Sequence, residues 1–456
     1  MHLLHNVTVV TMDKERRIIT DGAIAFENNI IRSVGKAESL FSAHGSAERE
    51  DGHGMVVLPG FIDTHAHADQ SLLRGIGDQL HWIPFLDDVV DPYLTRRYRE
   101  EGVIANKLAM VEMLRNGTTC FVSPNVDPRD NFEQLIQAVG ELGIRAILGR
   151  FTMPEPGEDS AAIAATTLRS AMKVMSAWHE SAKGLVSMWF GLDVPRRPGD
   201  TDHPAFYEAV MRESKQLGVG IVYHFCSEFE DAVYIVNRYG MRPAEWSLAN
   251  HALGENVLLI GGTQMTPQEI QILKDTGSHL AHSPVANMKM ATGNLALIDV
   301  LAAGVNVGLG TDGALNNNSY DMIAEMKTAV LLQNSMRRNA RALGAHQVLE
   351  MATINGARAI GRENELGSIE TDKQADLVMM NLSQPSTVPV HDLVSNIVFS
   401  AGVRNVCSVY VAGRKVVENG AVTGIDEDKL LSDATEVADI LATRLQLTPK
   451  QQWPVL

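Results

Sequence analysis

The chain has 456 residues, of which 39 are basic and 55 acidic, so its formal net charge is −16 and its pI is near 5.4. This acidity argues against a nucleic-acid partner or an anionic membrane surface, because phosphate affinity needs clustered lysine and arginine. The cysteines are far apart, no apolar run is long enough to span a membrane, and the first residues lack a signal-peptide pattern. We therefore expect a cytoplasmic protein without disulfides.

Short β-rich runs occupy both ends of the chain. Residues 3–10, 22–34 and 55–58 alternate apolar side chains with polar turns, and residues 375–382 and 406–416 do the same near the other end. Strand sets at opposite ends can pair, since chain termini often lie close together. We predict one small β-sandwich built from residues 1–56 plus 364–424, with a C-terminal helix and tail over 425–456.

Eight strand and helix units follow one another between these ends. The predicted strands are Gly60–Thr64, Thr118–Val122, Arg145–Leu148, Val186–Gly191, Gly220–His224, Val257–Ile260, Ser278–His282 and Val305–Gly310. The predicted helices are Arg99–Arg115, Asn131–Leu142, Ala161–Ser181, Pro204–Leu217, Pro267–Thr276 and Leu297–Ala303. Eight such units over about 300 residues have the size of a (β/α)8 TIM barrel with insertions. We predict this α/β barrel over residues 57–363.

Two histidines follow the first barrel strand. His65 and His67 are two positions apart, and residues i and i+2 of an extended chain face the same side. Neutral imidazole is the commonest metal ligand, so the pair suits a divalent ion. The alternative is two loop histidines that bind nothing.

Other polar residues end later strands of the barrel. His224 ends the fifth strand, His282 ends the seventh and Asp312 follows the eighth. A lone histidine at a strand end is often a core residue, and Asp-Gly is often only a turn. Barrel enzymes build their sites where the strands end, and these residues fall there together. Imidazole and carboxylate without thiolate fit zinc, iron, manganese or cobalt rather than a structural zinc.

These residues and their surroundings resemble the amidohydrolase superfamily, and within it the branch of triazine hydrolases and cytosine- or guanine-type aminohydrolases. The matching segments are VLPGFIDTHAHADQSLLRG at 57–75, YHFCSE at 223–228, HSPVANMKM at 282–290, VGLGTDGALNNNSYDM at 307–322, LEMATINGARAIG at 349–361, ELGSIETDKQADLVMMNL at 365–382 and VYVAGRKVVENG at 409–420. They cover nearly the whole chain in the family's order. The resemblance implies a distorted (β/α)8 barrel beside a β-sandwich made from both termini.

The resemblance also implies a ligand set. The family's metal ligands fall on His65, His67, His224 and Asp312. No lysine ends the fourth strand, where binuclear members carry a metal-bridging carbamylated lysine. We therefore expect one divalent metal ion per chain, zinc first, with iron, manganese or cobalt as alternatives.

The family's proton-shuttling glutamate usually stands three residues after the fifth-strand histidine. Ser227 occupies that position here, and Glu228 is one residue later. Either the loop carries a one-residue bulge and Glu228 is the shuttle, or another group fills the role and Glu228 is a solvated acid.

Strand six departs further from the family pattern. The family reads Leu-Leu-x-His there. This chain reads Leu-Leu-Ile-Gly, with Gly261 at the position of the family's histidine. Losing a preorganised electrostatic group of this kind typically costs about 10²–10³-fold in rate. Gln264 or His251 could compensate, although neither occupies the matching position. Otherwise the chemistry has changed, the substrate supplies the group, or the activity is low.

The expected activity is metal-assisted hydrolysis of a C–N or other C–heteroatom bond in a nitrogen heterocycle, urea or carbamate. Asp312 would orient the water, Glu228 would carry its proton to the leaving group, and His282 would stabilise the developing charge. The alternatives are a catalytically weakened homologue that still binds metal and ligand, and a non-catalytic scaffold.

Several residues near strand ends predict a pocket for a small molecule. Trp82 and Phe85 could cover a flat ring, and Arg150 could bind a carboxylate or carbonyl. Asn287 and Met288 follow the seventh strand in HSPVANMKM. An aromatic lining suits neutral heterocycles, aryl ureas and carbamates, although some of these residues could belong to the core. Arg74 could position a loop or form a structural ion pair, and we expect a homo-oligomer.

Overall fold

Strands and helices alternate through the middle of the chain in a computed structural model that describes residues 1–154, 161–196, 200, 202–447 and 453. Its strands are β1 (His2–Val10), β2 (Ile18–Glu27), β3 (Ile30–Lys36), β4 (Glu48–Asp51), β5 (Val56–Pro59), β6 (Phe61–Asp63), β7 (Ala66–His67), β8 (Thr118–Val126), β9 (Arg145–Phe151), β10 (Val186–Asp193), β11 (Ile221–Phe225), β12 (Val257–Gly261), β13 (His279–His282), β14 (Val307–Leu309), β15 (Asp312–Gly313), β16 (Leu377–Met380), β17 (Val406–Val411), β18 (Arg414–Glu418) and β19 (Ala421–Val422).

The helices include every one that the sequence predicts. They are α1 (Ala37–Ala43), α2 (Trp82–Phe85), α3 (Asp91–Arg96), α4 (Arg99–Arg115), α5 (Phe132–Leu142), α6 (Ala161–Trp178), α7 (Ser181–Gly184), α8 (Pro204–Leu217), α9 (Phe229–Tyr239), α10 (Pro243–Ala249), α11 (Pro267–Thr276), α12 (Pro284–Met290), α13 (Leu297–Ala303), α14 (Met322–Arg337), α15 (Ala345–Met351), α16 (Ile354–Ala359), α17 (Leu393–Phe399) and α18 (Glu427–Leu445). None of the described helices is both long and apolar enough to cross a membrane.

Eight parallel strands form the barrel in the order β6, β8, β9, β10, β11, β12, β13 and β14. They coincide with the eight predicted strands, so the distorted TIM barrel is confirmed. The first and eighth strands meet where the Thr64 N–H donates to the Leu309 carbonyl at 2.9 Å. A short parallel ladder of β7 and β15 continues this junction and pairs Asp312 with Ala66. The segments that carry His65, His67 and Asp312 are therefore neighbours at one end of the barrel.

Local sequence signals explain where the barrel elements begin and end. β12 begins with Val257, and its residues are buried, as expected for a parallel strand covered on both faces. α11 begins after Thr266, whose hydroxyl accepts the Glu269 N–H, with proline at the first helical position. It ends at Gly277, where φ is +71° and glycine adopts the left-handed conformation without a steric penalty.

A second sheet combines strands from both ends of the chain. Its order is β19, β18, β17, β16, β5, β1, β2 and β3, with β4 beside β1. β5 joins the two sets, because it pairs parallel with β1 and antiparallel with β16. The sheet folds over itself, so that the rings of Phe26 on β2 and Tyr410 on β17 are 5.8 Å apart. The predicted sandwich of both termini is confirmed, while the exact domain boundaries stay predictions.

The last helix packs on the barrel of its own chain. Ala434, Leu441 and Leu445 of α18 are buried against the segment that leads into α4. Arg444 forms an ion pair with Glu101 on α4. The predicted tail after residue 447 lies outside the described residues, except for position 453.

A buried ion pair joins the barrel to the sandwich. The Arg145 Nε on β9 lies 2.7 Å from an Asp376 carboxylate oxygen, and both side chains are about 95% buried. The Ala412 N–H also donates to Asp376. This carboxylate therefore connects three segments of the chain.

Replacing Asp376 with alanine should lower the free energy of unfolding by about 3–5 kcal/mol, because it leaves the Arg145 charge buried without an opposite charge and, among the described residues, with only the Gln374 side chain as a hydrogen-bond acceptor. Urea unfolding measures this change. Asp433→Ala breaks an exposed ion pair with Lys429 and should leave the urea midpoint nearly unchanged. Equal effects of the two variants would contradict the structural role of the buried pair.

Candidate metal centre and substrate cavity

The four predicted ligands lie together at the end of the barrel. His65 and His67 follow β6, His224 lies on β11 and Asp312 begins β15. Ligand nitrogens of the three histidines all lie within 4.8 Å of one another. The Asp312 carboxylate oxygen is 3.3 Å from His65 Nε2 and 3.8 Å from His67 Nε2. One ion could therefore contact all four side chains.

The protonation states of these groups suit a metal ion. Burial lowers the pKa of His67 to about 4 and the pKa of His224 well below its usual range. Burial alone would raise the pKa of Asp312, but the neighbouring His65 and His67 rings keep that pKa below its usual range. Neutral imidazoles and an ionised carboxylate are the forms that bind a divalent cation.

Two of the three predicted ligand histidines have buried ring nitrogens without a hydrogen-bond partner among the described residues. Both ring nitrogens of His65 and Nδ1 of His224 are of this kind. Buried polar atoms are usually paired, so atoms left over beside a carboxylate suit a ligand. The residues present therefore fit a divalent metal ion.

Asp63 forms hydrogen bonds with the residues that precede or include the predicted ligands. Its buried carboxylate accepts the N–H groups of His65 and Thr311 at 3.1 and 3.0 Å, and the Thr311 hydroxyl at 2.5 Å. Burial raises the pKa of Asp63 to about 6. Asp312 has a φ of +62°, an uncommon value for a residue with a side chain and one often found at functional sites. Asp63 is a functional residue that was not predicted from the sequence, although a carboxylate inside a buried strand was a usable signal.

Glu228 lies at the start of α9 and is buried, not a solvated acid. Cys226, between His224 and Glu228, has a φ of +47°. A left-handed residue there turns the chain within the segment that is one residue longer than the family pattern. Burial, with the nearby Asp231 and Glu230, raises the pKa of Glu228 to about 9. A carboxyl of this kind can hold a proton near neutral pH and release it when its surroundings change.

A cavity of about 760 Å³ opens beside the metal ligands. Its volume is typical of sites that enclose a small molecule. Glu228 and Asn287 line it, as do Trp82 and Phe85, whose ring planes are nearly parallel with centroids 6.1 Å apart. The structure thus brings these four predicted residues to the same space as His67, His224 and Asp312.

Three predicted residues are not brought to this cavity. Arg150 points away, because its guanidinium donates to the Phe151 carbonyl and to the Ser170 hydroxyl on α6. Met288 is half exposed on α12. His282 is fully buried outside the cavity lining, and burial lowers its pKa to about 4, so it holds no positive charge at neutral pH.

The structure also places Arg74, which was considered for positioning a loop, and Gln264 and His251, which were considered as replacements for the strand-six histidine. Arg74 forms an ion pair with Glu112 at 2.6 Å and donates to the Asn318 carbonyl, so it connects α4 to the segment after Asp312. The Gln264 side chain donates to the Thr292 carbonyl at 3.0 Å. His251 is exposed, and it does not line the cavity.

A charged cluster in the cavity wall was missed by the sequence analysis. Arg196 lies 2.6 Å from Asp193 and 3.9 Å from Asp231, and its guanidinium carbon lies 5.8 Å from the Trp82 ring centroid. Burial raises the pKa of Asp193 to about 7. Asp193 is the last residue of β10 and pairs in register with His224, so a polar residue at the end of the fourth strand was the available signal.

Gly261 ends β12 and lines the cavity, so strand six does point at the site. Its φ is +105°, and a Cβ added there would lie 2.3 Å from the Ser227 hydroxyl oxygen. Gly261→His should therefore strain the backbone and overpack the site, which typically costs about 1–3 kcal/mol of stability, and should lower native turnover. Urea unfolding and a turnover assay would measure both effects.

Gly240→Ala is the matched control for Gly261→His. Gly240 also has a positive φ, +67°, but no atom lies within 4 Å of an added Cβ. It should therefore show the backbone strain without the collision. Wild-type stability together with new ammonia release in Gly261→His would contradict this prediction. It would mean that the Ser227 side chain moves aside easily.

Several known proteins are similar to this chain in sequence or in fold. The sequence model of the amidohydrolase family matches residues 56–416. The 5-methylthioadenosine/S-adenosylhomocysteine deaminase of Clostridium tetani is 33% identical over 442 residues, 95% of this chain and 98% of that protein. An adenosine deaminase structure from Xanthomonas campestris with bound zinc has a TM-score of 0.87 and 27% identity, covering 97% of this chain and 98% of its own. The atrazine chlorohydrolase structure from Arthrobacter aurescens TC1 with zinc has a TM-score of 0.86 and 24% identity, covering 96% and 100%, and shows the shared fold.

Proposed function

Because the chain belongs to the amidohydrolase family, we propose that its metal centre and Glu228 hydrolyse a carbon–nitrogen bond of a neutral, flat nitrogen compound. The chain is a metal-dependent hydrolase that acts on carbon–nitrogen bonds other than peptide bonds. The observation that supports the proposed site is the convergence of His65, His67, His224 and Asp312, the last three of which line the same cavity as the buried carboxyl of Glu228.

His65, His67, His224 and Asp312 would hold one divalent ion, most simply zinc, which would lower the pKa of the attacking water. Asp312 is ionised, so it accepts a hydrogen bond from the attacking water and orients it. Glu228 in its ionised form, which the positive charge of the ion would favour, takes the proton from that water and passes it to the leaving nitrogen, first as base and then as acid. Trp82 and Phe85 provide apolar surface for a flat ring.

The first candidate substrate is an adenine-type nucleoside that loses its amino group as ammonia. The Clostridium tetani relative carries the name of a deaminase of such nucleosides and is similar over nearly the whole chain. A cavity of about 760 Å³ is large enough for a base together with a substituted sugar.

The second candidate is a urea or carbamate, and Gly261 favours it. Attack on an aromatic ring puts negative charge on a ring nitrogen, which gains from a polar side chain on strand six. In a urea or carbamate the charge develops on the carbonyl oxygen instead, so the absent side chain is needed less. Gly261 itself adds no side chain to this wall of the cavity, where the small Ser227 side chain lies instead.

A panel assay on the zinc-loaded protein separates the candidates. Adenosine and its 5′-deoxy and 5′-thioether derivatives are assayed for ammonia, and aryl ureas and aryl carbamates for the released aryl amine. Ammonia from the nucleosides supports the first candidate, and amine from the ureas or carbamates supports the second. A folded, zinc-loaded protein without turnover on the panel would favour the catalytically weakened homologue.

We also propose that the protein is a cytoplasmic homo-oligomer. All three cysteines are free thiols, which suits a reducing compartment. Leu431 and Ile440 are exposed on α18, where a second subunit could cover them. Cell fractionation and light scattering would check the location and the oligomeric state.

A further inference from the structure

The two departures from the family pattern are in direct contact. Ser227 occupies the position of the family's glutamate, and Gly261 occupies the position of its strand-six histidine. A Cβ on Gly261 would lie 2.3 Å from the Ser227 hydroxyl oxygen and 3.0 Å from the Ser227 Cα. Ser227 therefore fills the space into which a strand-six side chain would project, and both residues line the cavity.

The backbone holds Ser227 in this position. Cys226, with its φ of +47°, turns the chain immediately after β11. The Gly262 N–H donates to the Phe225 carbonyl at 2.8 Å, and the Thr263 hydroxyl donates to the Ser227 carbonyl at 2.6 Å. These bonds fasten the segment after β11 to the segment after β12. The extra residue in one segment and the glycine in the other are thus parts of the same arrangement.

The Ser227 hydroxyl has one proton, and it donates that proton to the Ile260 carbonyl at 3.0 Å. A hydroxyl oxygen also has two lone pairs that can accept hydrogen bonds. Ser227 is about 8% exposed and is one of the residues that line the cavity. At this point the site therefore offers an acceptor, whereas a protonated imidazole would offer a donor.

We infer that Ser227 is a specificity-determining residue whose hydroxyl oxygen accepts a hydrogen bond from an N–H on the leaving nitrogen of the substrate, the same nitrogen that Glu228 protonates. This inference rests on the proposed function and narrows its substrate class. The site takes amino-substituted heterocycles, ureas or carbamates that keep a hydrogen on the nitrogen at the reacting carbon. Counterparts with N-methyl groups in its place are poor ligands.

Matched ligand pairs test the acceptor role. Adenosine is compared with N6,N6-dimethyladenosine, and phenylurea with N-methyl-N-phenylurea, on the zinc-loaded protein. Equilibrium binding by calorimetry is measured together with kcat/KM. Ser227→Ala should weaken binding of the favoured N–H compound about tenfold, the usual effect of losing one hydrogen bond, and should change its N-methyl partner little.

Ser214→Ala is the control variant. Ser214 also has a buried hydroxyl that donates to a backbone carbonyl, but it lies on α8 and does not line the cavity. The N–H to N-methyl preference should stay unchanged in this variant. If Ser227→Ala leaves binding of the N–H compound unchanged, or only improves the N-methyl compound, the contact is steric and the inference is wrong. Absence of turnover with intact binding preferences would instead count against the proposed function.

Stability measurements test the packing without any substrate. Gly261→Ala should lower the urea midpoint in the wild-type background, because the added Cβ meets Ser227. In a Ser227→Gly background the same change should lower the midpoint much less, since only the backbone strain at Gly261 remains. Equal losses in the two backgrounds would show that Ser227 does not occupy this space.

Discussion

Replacing His67 with alanine should remove the bound metal and abolish hydrolysis. His67 lies 3.3 Å from His224 between their Nε2 atoms and 3.8 Å from Asp312, so its loss removes a central ligand. The loss of activity should exceed the roughly 10–100-fold effect of removing an outer partner of a metal ligand. The fold should persist, because a barrel of this size has an apolar core independent of the ion. Metal analysis, circular dichroism and turnover assays measure these outcomes.

His251→Ala is the matched control for this experiment. His251 is an exposed histidine outside the cavity lining, so its variant should keep about one divalent ion per chain and full turnover. Chelation of the wild-type protein should reproduce the His67→Ala result, and added zinc should reverse it. Full activity of a preparation shown to contain no metal would contradict the proposed mechanism.

Glu228→Gln should lower kcat by about 10²–10⁴-fold while the metal content stays the same. Glutamine keeps the shape of the side chain but cannot carry the proton from the water to the leaving nitrogen. Steady-state kinetics and metal analysis on the same preparation would show both properties. Glu133→Gln changes an exposed carboxyl on α5, outside the cavity lining, and should keep most of the turnover. Normal turnover of Glu228→Gln would place the proton carrier elsewhere.

The same substitution should make the fold more stable at neutral pH. Burial raises the pKa of Glu228 to about 9 from its ordinary 4.5, so the folded chain keeps a proton that the unfolded chain has lost. Stability therefore falls as pH rises from about 4.5 towards 9, and glutamine removes this contribution. We expect a gain of about 1–3 kcal/mol at pH 7 and almost none at pH 4. Urea unfolding at the two pH values would measure it, and equal changes at both would contradict the burial effect.

The sequence alone was sufficient to predict which polar residues meet at the end of the barrel. His65, His67, His224 and Asp312 follow strands whose apolar runs are easy to recognise, and parallel strands of a barrel all end on the same side. Their convergence therefore required only the correct order of strands and helices. Their distances and protonation states required the three-dimensional structure.

Residues beside the site were harder to place, because a shift of one position reverses their direction. Phe151 lines the cavity, whereas Arg150 before it faces α6, since neighbours on a strand point to opposite sides. On α12, Asn287 lines the cavity and Met288 is exposed, since successive helical residues are rotated by about 100°. The pairing of Arg196 with Asp231 on another segment depends on tertiary contacts that no local pattern contains.

The junction between the first and eighth strands has a consequence for how the protein acquires its activity. The bond from Thr64 to Leu309 connects residues that are 245 positions apart, and the β7 and β15 ladder beside it carries His67 on one strand and Asp312 on the other. Contacts between such distant segments form late, because a long loop must first be closed. A growing chain on the ribosome can therefore fold its early strands but has no complete metal centre until Asp312 has emerged. An ion that binds only the closed barrel then favours completion of the fold.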